Sequence, residues 1–172
     1  LNAVHPSDPG VLTAALLNHV VLAPGEALFL DAGTLHAYVE GVGVELMANS
    51  DNVLRGGLTK KHVDTGELLR ILRPEPRPVE MLMPTGAETT YSPPVAEFEL
   101  TRLVEPAAVE RRPTGPEIVL VIEGTAQLSG PIDLSVEAGS AAWIEAHTDS
   151  YEIDGSGLVF VAAVGALHSP IG

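Results

Sequence analysis

LAPGEALFLDAGTLHAYVEGVGVELMAN, residues 22–49, aligns without gaps with VEAGSAAWIEAHTDSYEIDGSGLVFVAA, residues 136–163. Seven of the 28 aligned positions are identical at a constant offset of 114, and Phe29 aligns with Trp143. Short apolar runs separated by glycine turns are typical of β-strands joined by tight loops. We interpret the two stretches as one β-unit used twice, with chance similarity between two Ala-, Gly- and Val-rich segments as the alternative.

The order strand, glycine turn, strand, short loop, strand is typical of a jelly-roll or cupin barrel, so the sequence predicts a mainly β chain. Two short helices are expected. One covers residues 9–18 with Ser7 or Asp8 as N-cap, and the other is opened by the capping box Asp64–Glu67 and ended by Pro74. The predicted strands include His19–Leu22, Ala27–Leu30, His36–Val39, Val44–Met47, Phe98–Val104, Ile118–Ile122, Thr125–Leu128, Ser140–Ile144, Ser150–Ile153 and Leu158–Val164.

Proline is dense over residues 74–95, where it cannot donate to a central ladder. This segment is predicted to be an extended connector. It would separate a first domain, residues 1–73, from a second β-barrel, residues 96–172.

Composition excludes several classes of protein. The 172 residues include 9 Lys and Arg against 23 Asp and Glu, a net charge of −14, which disfavours a general nucleic-acid binder. No apolar run reaches the ~18–20 residues of a membrane span, and the Leu1–Asn2 start lacks a signal-type stretch. The absence of cysteine excludes thiolate chemistry and suits a reducing compartment, so we expect a cytoplasmic location. A first residue other than Met suggests a piece of a longer chain.

The first copy of the repeat carries the residues capable of chemistry. His36, Tyr38 and Glu45 align with Ser150, Glu152 and Val159. A neutral imidazole suits zinc, but no second histidine stands two or four positions from His36, and a structural or solvent-facing histidine is the alternative. Missing ligands would come from Glu45, from Asp51 or from outside the chain. We infer an active first barrel and a structural second one.

A polar, glycine-containing loop follows this copy. Six of the nine basic residues lie within residues 55–77, so this region is the one expected to attract a phosphate. Arg55 precedes Gly56-Gly57, which would let the backbone approach a ligand while the guanidinium binds an oxyanion. The alternative is that Arg55 pairs with Asp51 across the loop.

AGTLHAY at residues 32–38 and NSDNVLRGGLTKKHVD at residues 49–64 closely resemble type I mannose-6-phosphate isomerases, over about residues 8–72. Residues 96–172 resemble the family's C-terminal cupin domain more weakly. The resemblance implies a zinc-dependent isomerase that interconverts mannose 6-phosphate and fructose 6-phosphate through an enediol(ate). By position, His36 would be a zinc ligand and Arg55 the essential active-site arginine. Four residues would line the substrate pocket: Tyr38, Glu45, Asp51 and Lys61.

Several roles stay open within this resemblance. Arg55 would hold either the enediolate or the phosphate, and Glu45 and Asp51 would either shuttle protons or hydrogen-bond sugar hydroxyls. Where the family usually has Thr-Pro-Lys, this chain has Thr59-Lys60-Lys61, which keeps the lysine register.

The family's other zinc ligands, a Gln-x-His pair and a Glu, have no counterpart here, and the only glutamine is Gln127. We therefore expect the C-terminal portion of the enzyme: the closing half of a catalytic cupin barrel, then a metal-free one. Such a chain alone should be inactive. The alternative is a non-catalytic cupin module that binds a sugar or mediates assembly. A metal-cupin oxygenase needs two His and one carboxylate, which the spacing does not supply.

Overall fold

The computed structural model describes residues 1–50, 53–76, 78–131 and 133–165. Within these ranges the chain is mainly β with two short helices, as the sequence predicts. The elements are α1 (Gly10–Leu16), β1 (Ala27–Leu28), α2 (Thr65–Ile71), β2 (Met81–Leu82), β3 (Glu88–Tyr91), β4 (Glu99–Val104), β5 (Val109–Arg111), β6 (Glu117–Ser129), β7 (Leu134–Glu137), β8 (Ala141–Ile144) and β9 (Tyr151–Ala163). Neither described helix is long and apolar enough to cross a membrane.

The chain divides into two units. The first contains residues 1–45 and 49–81, and the second contains residues 46–48 and the chain from Leu82 onward. In the second unit, seven antiparallel strands form one sheet in the order β3-β4-β9-β6-β7, with β5 also pairing with β9 and β8 with β6. The two-residue strands β1 and β2 pair separately.

Strands β6 and β9 are longer than predicted. Each has 13 residues, whereas the sequence predicted two short strands at each place. The glycines that indicate turns in the sequence instead lie within the ladder, where Gly124 pairs with Gly157 and the register shifts between Val121 and Glu123. Glycine bends a strand at such an irregularity without ending it.

The core of the second unit lies on one face of this long pair. Alternate residues are buried, as expected for a sheet with one covered face. Val119, Val121, Ile153, Val159 and Val161 are 0% exposed. Burying each such side chain contributes about 1.5–3 kcal/mol, so β6 and β9 hold the second unit together.

The bend at Gly157 provides a test of this ladder. Gly157 has φ +83°, and a Cβ there would lie 2.2 Å from the Glu123 carbonyl oxygen. Gly139 has nearly the same φ, +80°, but nothing within 4 Å of its Cβ position. We expect Gly157→Ala to lower the urea midpoint clearly more than Gly139→Ala, because only the former adds a backbone clash to the ~1–2 kcal/mol of left-handed strain. Equal midpoints for the two variants would show that β6 and β9 do not approach this closely.

The connector predicted over residues 74–95 contains a strand of this sheet. β3 (Glu88–Tyr91) pairs with β4, from Glu88 opposite Leu103 to Tyr91 opposite Leu100. The prolines of this segment, at positions 74, 76, 78, 84, 93 and 94, all lie outside the strand, so they do not interrupt its hydrogen bonds.

Both helices of the first unit form where the sequence predicts them, but the first is capped differently. The N-cap of α1 is Pro9 rather than Ser7 or Asp8, and the Asp8 carboxylate accepts a hydrogen bond from the Gly10 N–H at 2.7 Å. The Asp64 carboxylate accepts from the Glu67 N–H at 3.0 Å, which confirms the predicted cap of α2. α2 ends at Ile71, before Pro74.

The predicted strands His19–Leu22, His36–Val39 and Val44–Met47 are wrong: apart from β1, no strand occurs in the described part of residues 17–63. These sequences have strand-like composition, but a strand also needs a ladder partner for its backbone groups, and the described residues provide none for them.

The repeated unit is nevertheless visible in two turns. Each turn of the first copy is closed by a backbone hydrogen bond that recurs 114 positions later, at 3.0–3.1 Å in all four cases. In the first turn the Glu26 N–H donates to the Ala23 carbonyl, and the Ser140 N–H donates to the Glu137 carbonyl in the second copy. In the second turn the Thr34 N–H donates to the Asp31 carbonyl, and the Thr148 N–H donates to the Glu145 carbonyl in the second copy. Gly25 and Gly139 share a positive φ, 89° and 80°. The match therefore reflects similar local structure up to His36, beyond which only the second copy forms a strand.

Candidate functional site

His36 lies directly after the turn closed between Asp31 and Thr34, and one nitrogen of its ring contacts a backbone carbonyl. Its Nδ1 lies 3.0 Å from the carbonyl oxygen of Thr34. Because a carbonyl only accepts, Nδ1 carries the hydrogen in the neutral ring, and Nε2 keeps its lone pair. A backbone carbonyl on the other nitrogen is the usual partner of a metal-binding histidine. In this tautomer the exposed imidazole can bind a metal ion through Nε2.

Tyr38 and Glu45 form a pair beside this imidazole. The Tyr38 and His36 ring centroids are 6.1 Å apart, with ring planes at 76°. The Glu45 carboxylate lies near the Tyr38 hydroxyl. Partial burial, and then the proximity and negative charge of Glu45, raise the pKa of Tyr38. The structure therefore brings together three of the predicted site residues.

The turn before His36 contacts the residues at and just after the end of α2. The sequence did not indicate this contact. Arg73 Nη1 forms an ion pair with Asp31 Oδ2 at 2.8 Å, and the Arg73 N–H donates to the Gly33 carbonyl at 3.1 Å. A Cβ on Gly33 would lie 2.9 Å from the Ile71 carbonyl oxygen. Arg73 is thus a positioning residue for the His36 turn. The two partners are 42 positions apart, so local sequence pattern offers no signal for their contact.

The glycines after Arg55 approach protein rather than open space. A Cβ on Gly56 would lie 2.4 Å from Leu35 Cδ1, and one on Gly57 would lie 2.9 Å from Gly10 Cα. The absence of a Cβ at Gly56 and Gly57 therefore lets the loop pack against the residue before His36 and the start of α1. A small pocket of about 60 Å³ remains among Leu17, His36, Gly56 and their neighbours.

The other predicted residues are less connected. Arg55 is half-buried and makes no hydrogen bond or ion pair with the part of the chain that the structure describes. Lys61 is exposed, and its backbone N–H donates to Thr59 Oγ1 at 3.1 Å. Asp51, and with it the alternative Arg55–Asp51 pair, lies outside the described residues. Across residues 1–50, 53–76, 78–131 and 133–165, no group of three His, Asp or Glu side chains is arranged to hold a metal ion.

The second unit contains a buried polar cluster that sequence reasoning missed. Arg111 Nη2 donates to Glu117 Oε1 at 2.6 Å, and the Tyr151 hydroxyl donates to Glu117 Oε2 at 2.5 Å. Side-chain exposure is 15% for Arg111 and 4% for Glu117. The available signal was a glutamate opening the apolar run Glu117–Ile122, at an inward position of a core strand.

The cluster is electrostatically consistent. Burial is the largest influence on the Arg111 pKa and lowers it, but the hydrogen bond and charge of Glu117, together with Tyr151, outweigh burial and raise that pKa overall. Burial first, and then Glu117, raise the pKa of Tyr151 above its usual range. Arg111 therefore stays charged and Tyr151 protonated. Arg111 Nε is buried without a hydrogen-bond partner in the described structure, an arrangement that costs ~1–3 kcal/mol.

A cavity of about 220 Å³ adjoins the cluster, lined in part by Arg111 and Glu117.

Three comparisons relate the chain to known proteins. No model of a protein family matches it. Mannose-6-phosphate isomerase of Escherichia coli (strain K12) is 38% identical over 164 residues, which cover 91% of this chain and 42% of that protein. A crystal structure of mannose 6-phosphate isomerase from Salmonella typhimurium, bound to substrate (fructose 6-phosphate) and zinc, has a TM-score of 0.80 at 34% identity, covering 96% of this chain and 44% of that one. The chain thus spans about two fifths of the length of these relatives.

Three variant structures of the Salmonella phosphomannose isomerase are similar to the chain at 33–34% identity, with TM-scores of 0.79–0.82 and coverage of 96% of this chain and 44% of theirs. Each variant has one residue replaced by alanine: a histidine in the first, a glutamate in the second and an arginine in the third. In that protein the glutamate lies nine positions after the histidine, and the arginine lies ten positions after the glutamate. Here the same residue types follow one another at the same two intervals, as His36, Glu45 and Arg55.

Proposed function

Because this chain belongs to the mannose-6-phosphate isomerase family and matches the C-terminal portion of its relatives, we propose that it forms part of an isomerase that interconverts mannose 6-phosphate and fructose 6-phosphate. The observation that carries the proposal is the coincidence of His36, Glu45 and Arg55 with the spacing of three residues substituted in a relative that binds fructose 6-phosphate and zinc. His36 lines a pocket in the first unit, and the Tyr38 ring, with Glu45 nearby, lies beside the His36 ring.

In this proposal His36 supplies one zinc ligand through Nε2. A catalytic zinc normally has three protein ligands, so the described residues of this chain do not by themselves fit the ion. We assign the remaining ligands to protein outside this sequence. When bound, zinc would supply a Lewis acid to polarise the sugar oxygens.

The chain's own residues have matching roles. Moving hydrogen between C1 and C2 of an open-chain sugar develops negative charge on oxygen, which a guanidinium stabilises. Arg55 serves this function or binds the phosphate, and Lys61 and Asp51 contact the substrate. Glu45, which lies near the Tyr38 hydroxyl, shuttles a proton or binds a sugar hydroxyl.

The proposed architecture is a closing half of a cupin barrel in residues 1–73, a connector over 74–95 and a second, metal-free cupin barrel in residues 96–172. Several large apolar side chains within residues 1–73 are exposed to solvent: Leu12 is 74% exposed, Leu16 87% and Val42 100%. This exposure supports the assignment. Large exposed apolar surfaces are typical of interfaces. Strands supplied by the other half of the barrel would pair with the backbone of residues 36–47.

The test is a chimera in which this chain replaces the matching C-terminal portion of the E. coli relative. A coupled assay would follow fructose 6-phosphate formation from mannose 6-phosphate with added zinc. We expect turnover by the chimera, loss of turnover on His36→Ala, and no turnover by the 172-residue chain alone.

An inactive but folded chimera would contradict the isomerase proposal. If the chain then bound a sugar phosphate without metal, the non-catalytic cupin module would be the better assignment.

A further inference from the structure

We propose that the second unit binds an uncharged, polyhydroxylated molecule of monosaccharide size in the cavity beside the Arg111–Glu117–Tyr151 cluster. The polar lining of this cavity of about 220 Å³ consists of Glu99, Glu110, Arg111, Arg112, Thr114 and Glu117. All six residues belong to the second unit. The proposal therefore does not rest on the isomerase function.

Size and lining restrict the ligand. Pockets for drug-sized molecules usually measure ~300–1,000 Å³ and are mainly apolar. This cavity is smaller, and six of its eight lining residues are polar or charged. A small polar molecule fits such a lining better than an apolar one, because burying the carboxylates and guanidinium groups against hydrocarbon would leave them without hydrogen bonds.

The lining offers both kinds of hydrogen-bonding group. Carboxylates only accept, guanidinium groups only donate, and the Thr114 hydroxyl does both. The Arg111 side chain is 15% exposed and uses Nη2 for Glu117, so part of its guanidinium surface stays accessible from the cavity. A ring of vicinal hydroxyls, each of which donates and accepts, complements this mixture.

Charge argues against a phosphorylated ligand. The lining has three carboxylates and two guanidinium groups, and both arginines are already paired, Arg111 with Glu117 and Arg112 with Glu110 at 2.6 Å each. Glu99 receives a hydrogen bond from the Ser92 hydroxyl at 3.4 Å and has no cationic partner among the described residues. The excess negative charge repels a phosphate and leaves an acceptor free for a hydroxyl.

Titration of the 172-residue chain with D-mannose and with D-mannitol, followed by amide NMR shifts, tests the proposal. We expect saturable shifts centred on Arg111, Thr114 and Glu117. Glu99→Gln and Arg111→Lys should each weaken binding about tenfold or more, the effect of one lost hydrogen bond to a charged group. Glu137→Gln, at an exposed position of β7, should leave the affinity unchanged.

Three results would overturn the proposal: no saturable shifts with either compound, equal affinities in all variants, or stronger binding of mannose 6-phosphate to the same residues. Urea unfolding of each variant checks that it is folded. If Arg111→Lys fails this check, Glu99→Gln alone decides, because Glu99 lies outside the Arg111–Glu117–Tyr151 cluster.

Discussion

Replacing Glu117 by alanine is expected to destabilise the second unit by about 3–5 kcal/mol. The substitution removes the carboxylate partner of a guanidinium that is 15% exposed and leaves the Tyr151 hydroxyl without its acceptor. Removing one partner of a buried ion pair destabilises a protein by this amount because the remaining charge stays buried without an opposite charge to compensate for its lost hydration. A domain is typically stable by only ~5–15 kcal/mol, so the variant should be marginally folded at best.

Urea unfolding measures this loss, with Trp143 fluorescence as a reporter because the only tryptophan lies on β8 of the second unit. Glu110→Ala is the matched control. It breaks an ion pair whose side chains are 58% and 77% exposed, and such pairs contribute ~1 kcal/mol or less. Replacing the Arg111–Glu117 pair by Met and Leu together should recover the part of the stability lost to the unpaired guanidinium, while the Tyr151 hydroxyl still lacks its acceptor. Equal destabilisation by Glu117→Ala and Glu110→Ala would contradict the buried cluster.

In the active chimera, Arg55→Ala is expected to lower kcat/KM by about 10²–10³, the usual effect of removing one group that stabilises a developing oxyanion. The distribution of the loss distinguishes the two roles of Arg55. A fall in kcat indicates contact with the enediolate, whereas a rise in KM alone indicates binding of the phosphate in substrate and transition state alike.

Arg70→Ala is the control for this measurement, because Arg70 is exposed and pairs with Glu67 on α2. Arg55→Lys should keep part of the activity if charge alone is needed, and little if two hydrogen bonds are needed. Wild-type kinetics for Arg55→Ala would remove Arg55 from the site.

Local signals in the sequence were sufficient to place the two helices and parts of the second unit. The Asp64 cap formed as predicted, and the short apolar runs predicted as strands lie within β6 and β9, which are longer than predicted. The glycines at 124 and 157 were ambiguous, because the same residue permits a turn or a bend within a strand.

Strands and buried pairs that depend on distant partners were harder to predict. The segment His36–Val39 has strand-like composition, but whether it forms a ladder depends on what lies beside it. The contacts of Arg73 with Asp31 and of Tyr151 with Glu117 join residues 42 and 34 positions apart. His36, Tyr38 and Glu45 could be selected from the sequence because their residue types and spacing resemble a known family, and the structure brings them together in the first unit.

The decisive measurement is the assay of fructose 6-phosphate formation by the chimera, compared with the 172-residue chain alone. We expect zinc-dependent turnover by the chimera that His36→Ala abolishes, and none by the chain alone. Turnover by the chain alone would contradict the claim that His36 needs ligands from outside this sequence, and a folded but inactive chimera would contradict the isomerase assignment.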